Sequence, residues 1–166
     1  MLITLTGMPG SGKTTVGRIV ADALGCPFMD LDELIEKKAG KAIPAIFKEE
    51  GEAAFRTLEG KVLRETVSKY AQADAVLALG GGSVTLPGAA ALLHEKTLCI
   101  WLQASIPTLS SRLQDTPPRP LLSSENTLEK FLSDREECYE KAAHVRLDTD
   151  GVDAEAVADE LIITAL

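Results

Sequence analysis

The chain of 166 residues carries 25 Asp and Glu against 17 Lys and Arg, a formal net charge of −8, and it lacks the clustered basic surface that nucleic-acid backbones recruit. With 45% hydrophobic residues it is long enough to fill one core and short for two, so a single domain over residues 1–166 is expected. Cys26, Cys99 and Cys138 are odd in number and widely scattered, which suggests reduced thiols rather than a disulfide framework or a zinc site, and His94 and His144 stand isolated. No basic leader and no apolar stretch of membrane-spanning length is visible, so a cytoplasmic protein with no membrane partner is expected.

Met1–Thr6 reads as a strand, and it runs into Gly7-Met8-Pro9-Gly10-Ser11-Gly12-Lys13-Thr14, which fills every fixed position of the G-x-x-x-x-G-K-[ST] phosphate-binding loop. Gly7, Gly10 and Gly12 let the backbone curl with its N–H groups toward a phosphate. Lys13 places a cation on the β and γ phosphates, and Thr14 offers a hydroxyl to Mg²⁺. A helix over Thr14–Leu24 adds its positive dipole end; Gly25 stops it and Pro27 returns the chain to an extended path. These residues point to a nucleoside triphosphate with Mg²⁺.

The next strand, Phe28–Leu31, brings Asp30 and Asp32 to its end. A period of two puts both carboxylates on one side, where they could divide metal and proton work; Asp32 could also cap a helix starting at Glu33. From Asp32 to Tyr70 there is helical material punctuated by Gly40, Pro44 and Gly51, and no strand. This excursion, about 32–60, is the expected acceptor-binding region, with Arg56 emerging beside Phe55 and near Phe47.

Ala75–Leu79 is a strand that ends in Gly80-Gly81-Gly82-Ser83. Three successive residues without side chains imply close approach to the backbone by an anionic or sugar-like ligand, and the missing acidic residue leaves Asp30 to support the metal. Thr97–Leu102 is the fourth strand. Pro117, Pro118, Arg119 and Pro120 mark a loop within Asp115–Glu125, expected to act as a mobile lid over about 113–125 with Leu121 and Leu122 to bury on closure. Arg135 follows on a helix over Leu128–Tyr139, and Val145–Leu147 is the last strand. The alternation predicts an α/β fold of the P-loop NTPase type: three layers, with a five-stranded parallel sheet covered by helices on both faces.

Taken in order, Gly10-Ser11-Gly12-Lys13-Thr14-Thr15, Asp30-Leu-Asp32, Phe47 with Phe55-Arg56, Leu79-Gly-Gly-Gly-Ser83, Arg119-Pro-Leu-Leu122, Arg135 with Tyr139, and Asp148-Thr149 resemble the shikimate kinase family from Leu2 to about Asp150. The resemblance implies an ATP-dependent, Mg²⁺-requiring phosphorylation of the 3-hydroxyl of shikimate in aromatic amino-acid biosynthesis; a monomer is expected. By the same resemblance Thr14 ligates Mg²⁺ and Asp30 supports it through water. Asp32 holds the acceptor hydroxyl, and Arg56, Arg135, Gly81 and Gly82 grip the shikimate carboxylate and hydroxyls. Phe47 and Phe55 line the ring, Arg119 stabilises the moving phosphate, and Arg112 contacts the adenine side. Two departures from the family pattern stand out: Glu137-Cys138 before Tyr139, and Asp150-Gly151-Val152 where many members carry an Arg after the Asp-Thr pair.

Other readings use the same loop. A gluconate kinase or nucleoside monophosphate kinase shares the scaffold, but a monophosphate acceptor needs no general base and would leave Asp32 and the triple glycine without a role. A GTP-dependent switch would need an N-K-x-D guanine reader, and the chain's Asn126 is followed by Thr127.

Overall fold

A strand buried on both faces needs a mostly apolar run; three central runs meet that condition, and two edge runs, Phe28–Asp30 and Val145–Asp148, are only partly buried. In the computed structural model, which describes residues 1–114 and 125–166, they form β1 (Leu2–Thr6), β2 (Phe28–Asp30), β3 (Ala75–Ala78), β4 (Leu98–Gln103) and β5 (Val145–Asp148). All pair in parallel in the order β2-β3-β1-β4-β5. The carboxyl ends of all the strands therefore share one edge, where open α/β sheets bind ligands.

The strand side chains alternate between two cores. Ile3, Leu5, Val76, Ile100 and Leu102 meet Val16, Val20 and Ala21 of α1 (Lys13–Leu24) and Val157, Ala158 and Leu161 of α8 (Ala154–Ala165). Leu2, Leu77, Cys99 and Trp101 face the opposite layer, built from α2 (Leu31–Ala39), α3 (Ile43–Glu50), α4 (Glu52–Lys69), α5 (Ala89–Lys96), α6 (Ile106–Gln114) and α7 (Glu125–Ala142). The expected three layers are present. α1 lies hard against the sheet: a Cβ on Gly17 would stand 2.6 Å from Cε2 of Phe28.

The expected excursion is α2, α3 and the first half of α4. Gly40 ends α2 in the left-handed conformation, Pro44 sits in the first turn of α3, and the Ile43 amide donates to Glu36 Oε2 at 2.8 Å, pinning the corner between them. Several expectations shift. Leu31 opens α2 instead of closing a strand, because Asp30 provides the helix cap two residues earlier than Asp32 would. Met1, Leu79 and Thr97 lie outside the strands expected to hold them, and Gln103 and Asp148 lie inside. The ends of the expected lid, Leu113, Gln114 and Glu125, are helical; its middle, with Arg119, falls outside the described residues.

The two histidines, far apart in sequence, stack with ring centroids 4.3 Å apart and planes 2° from parallel, and the Cys99 amide donates to Nδ1 of His144. All three cysteines are free. Among the described residues, no helix is long and apolar enough to cross a membrane.

Candidate active site

β1 hands over directly to the phosphate loop. Gly7 adopts φ 143°, and a Cβ there would stand 2.4 Å from the carbonyl oxygen of Leu102, so only glycine lets the loop turn this close to β4. α1 then begins at Lys13 with Gly12 as its cap, without a side-chain acceptor and without an acidic residue in its first turn. The helix N-terminus thus keeps its orphan amides and positive dipole end for an anion. Lys13 is nearly buried, and its ammonium donates to the carbonyls of Gly7 and Met8 at 2.8 and 2.9 Å, folded onto the loop it serves. Ser11, also buried, donates its amide to the Met8 carbonyl. Gly10 precedes the helix at φ 85°, and Thr15 lies in its first turn.

Thr14 and Asp30 meet at the loop's mouth, where the Thr14 hydroxyl donates to Asp30 Oδ2 at 2.8 Å. The other oxygen, Oδ1, accepts from the Asp32 amide at 2.9 Å. One carboxylate therefore caps α2, orients Asp32 and touches the helix that follows the phosphate loop. The alternative in which Asp32 is the cap is corrected by this bond: capping falls to Asp30, and the Asp32 side chain faces Gly80, with Oδ1 3.4 Å from where a Cβ would be. A hydroxyl beside a half-buried carboxylate, next to the phosphate loop, is the hard-oxygen pair that suits a largely hydrated Mg²⁺.

The triple glycine after β3 is explained by what presses on it. A Cβ on Gly80 would lie 3.0 Å from Glu59 Oε2; on Gly81, 2.8 Å from Pro9 Cδ and 3.0 Å from Arg135 Nη1; on Gly82, 2.8 Å from Arg56 Nη1. Each glycine abuts a different charged group, and the middle one also touches the phosphate loop through Pro9. Positive φ is not the reason, since none of the three adopts it. Side chains at these positions would push the acid and the two arginines apart.

Arg56 is held from two sides. Its Nη1 donates to Glu59 Oε1 at 2.7 Å, and its guanidinium lies 5.3 Å from the Phe55 ring centroid, which in turn packs 4.8 Å from Phe47. Glu59 is 1% exposed, and its second oxygen accepts from the Ser83 hydroxyl at 2.9 Å. Sequence reasoning missed Glu59. The signal was the Arg56-x-x-Glu59 spacing, which places both side chains on one face of α4. Arg135 is 8% exposed and stacks 4.4 Å from the Phe131 ring. Phe47, Phe55, Arg56, Asp32, Arg135 and the glycines thus gather around the end of β3.

Arg112 lies at the other end of the phosphate loop. Nη1 donates to the Gly10 carbonyl at 3.2 Å and to Thr149 Oγ1 at 3.1 Å, and Nη2 to the Thr149 carbonyl at 2.9 Å. It ties the loop to the end of β5. There Asp150, in place of the expected family Arg, accepts from the Ser105 amide, which holds its carboxyl below the usual carboxylate range. Arg119, expected on the moving phosphate, lies outside the described residues.

A family model described as shikimate kinase matches residues 9–165. A shikimate kinase of Nitrosomonas europaea is 39% identical over 163 residues, spanning 96% of this chain and 76% of the relative. One from Salinibacter ruber is 43% identical over 162 residues, spanning 90% and 78%. Among solved structures, shikimate kinase from Acinetobacter baumannii in complex with shikimate superposes with a TM-score of 0.90 at 37% identity, covering 98% of this chain and 93% of that one.

Proposed function

The chain belongs to the shikimate kinase family, and from that premise we propose that it transfers the γ-phosphoryl group of ATP to the 3-hydroxyl of shikimate, on the route to chorismate and the aromatic amino acids. The observation that carries this reading is the glycine strip: three positions without side chains, pressed by Glu59, Arg135 and Arg56, beside the phosphate loop. Two guanidiniums flanking a glycine backbone suit a carboxylate and vicinal hydroxyls, since Arg meets a planar carboxylate bidentately.

In this assignment Arg56 and Arg135 hold the acceptor's carboxylate, the amides of Gly81 and Gly82 meet its polar groups, and Phe47 and Phe55 pack on its ring. Asp32 orients the hydroxyl and takes its proton as the oxygen attacks the γ phosphorus. The bond from that phosphorus to the β–γ bridging oxygen breaks, and ADP leaves. Lys13, the amides of Gly10, Ser11 and Gly12, and those of Thr14 and Thr15 hold the phosphates, with Arg119 brought onto the transferring group and Arg112 on the adenine side. Thr14 directly and Asp30 through water would hold Mg²⁺, which when bound neutralises charge on the β and γ phosphates. We assign the setting to a cytoplasmic monomer with no nucleic-acid or membrane partner.

The test is ADP release with ATP and Mg²⁺ against shikimate, gluconate and AMP. Turnover with shikimate alone is expected. Rapid turnover with gluconate or AMP and none with shikimate would overturn the assignment.

A further inference from the structure

α7 carries three side chains at successive i, i+4 positions on one face: Phe131, Arg135 and Tyr139. Phe131 stacks under the Arg135 guanidinium at 4.4 Å. Tyr139 is 0% exposed and packs its ring 5.3 Å from Trp101 of β4. Its hydroxyl, deep beneath the site, donates to the carbonyl of Gly81. Burial pushes the phenol up to about 12, and it is held from rising further by the Arg135 guanidinium, whose charge and hydrogen bond favour the anionic form.

We infer that Tyr139 is a positioning residue for the acceptor, whose hydroxyl fixes Gly81 and Arg135 relative to one another. The two groups leave no room between them, since a Cβ on Gly81 would stand 3.0 Å from Arg135 Nη1. A hydroxyl can donate to a carbonyl and accept from a guanidinium at once, and a phenol on a fully packed ring does so from a fixed point. The peptide plane at Gly81 cannot rotate without breaking this bond, so the direction of its neighbouring amides is set from the core side. The same residue leans on Pro9 of the phosphate loop, with Cδ 2.8 Å from the place of a Cβ. Tyr139 therefore anchors the place where acceptor and phosphate loop touch. This inference rests on the acceptor assignment to Arg135 and Gly81, and it adds a residue that would not itself touch the acceptor.

The experiment is Tyr139→Phe, which keeps the ring and removes the oxygen, measured by steady-state kinetics in both substrates and by thermal melting. Losing the donor leaves a buried carbonyl unpaired, so KM for shikimate is expected to rise about fivefold to twentyfold with KM for ATP unchanged. Trp101→Phe, which loosens the same ring contact without touching Gly81, serves as the control for a purely structural effect: it is expected to lower the melting temperature and leave KM for shikimate in place. Equal changes in both KM values, or the same KM rise in Trp101→Phe, would overturn the inference. If Tyr139→Phe fails to fold, a crystal structure of the unaltered protein with shikimate decides: the Tyr139 to Gly81 bond should persist, and a broken bond would refute the role. Arg135→Lys separates the two levels. A raised shikimate KM in Arg135→Lys with none in Tyr139→Phe sinks only this inference, whereas no effect in either sinks the acceptor assignment.

Discussion

A Cβ on Gly82 would stand 2.8 Å from Nη1 of Arg56, so the glycine and the guanidinium compete for one place. The atom that must give is the end of a flexible side chain, not backbone. Gly82→Ala should therefore fold with little loss of stability yet displace Arg56, raising KM for shikimate about tenfold, a loss near 1.4 kcal/mol. Kinetics beside a thermal melt checks both halves. An unchanged KM would mean that Arg56 does not hold the acceptor.

Asp32 is oriented by the bond from its own amide to Asp30, and its carboxylate faces Gly80 at the end of β3. If it takes the acceptor proton, Asp32→Asn should cut kcat by about 10²-fold or more, the range expected for removing a general base. Nucleotide binding measured by calorimetry should hardly change, since Asp32 lies off the phosphate loop. Wild-type turnover in the variant would remove Asp32 from the mechanism.

Packing away from the site offers a contrast. At Gly17 a Cβ would meet Phe28 Cε2 at 2.6 Å and Leu5 Cδ1 at 3.1 Å, both in the layer between α1 and the sheet. Gly17→Ala should cost about 1–3 kcal/mol through overpacking, read as a lower denaturant midpoint. Both KM values should stay near those of the parent, because Gly17 sits more than a helical turn beyond Lys13.

Alkaline stability follows from two buried acids. Burial raises the Cys99 thiol from 9.0 to about 11, and the Tyr139 phenol from 10.0 to about 12. Between the lower and upper values the folded protein keeps a proton that the unfolded chain has lost. Stability is thus complete below pH 9 and falls as pH rises, by ~3 kcal/mol per group across two pH units. Unfolding free energies at pH 8, 9, 10 and 11 should show this decline, and Cys99→Ala should flatten the part that begins near pH 9. A curve identical to the parent's would show that Cys99 does not carry it.

Much of this was legible in the chain. The five strands were visible because short β-like runs alternate with segments of helix length, and the phosphate loop because its glycines and Lys13 fill every fixed position of one motif. The triple glycine could be read as a place of close approach, but not what approaches it. Arg56, Arg135 and Glu59 arrive from α4 and α7, and only tertiary packing brings them there. Glu59 was hidden for the same reason: in sequence it is an ordinary i, i+3 partner of an arginine, and its second partner, the Ser83 hydroxyl, lies 24 residues on. The cap fell to Asp30 instead of Asp32 because an Asp whose side chain accepts its second neighbour's amide opens the helix itself. The pairing of His94 with His144 depends on α5 meeting the turn before β5, which no local pattern reports.

The most direct measurement is a crystal structure of the protein with shikimate and ADP. The shikimate carboxylate should lie between Arg56 and Arg135 with the 3-hydroxyl turned toward Asp32 and the phosphate loop. An acceptor bound away from those two arginines would contradict the assignment.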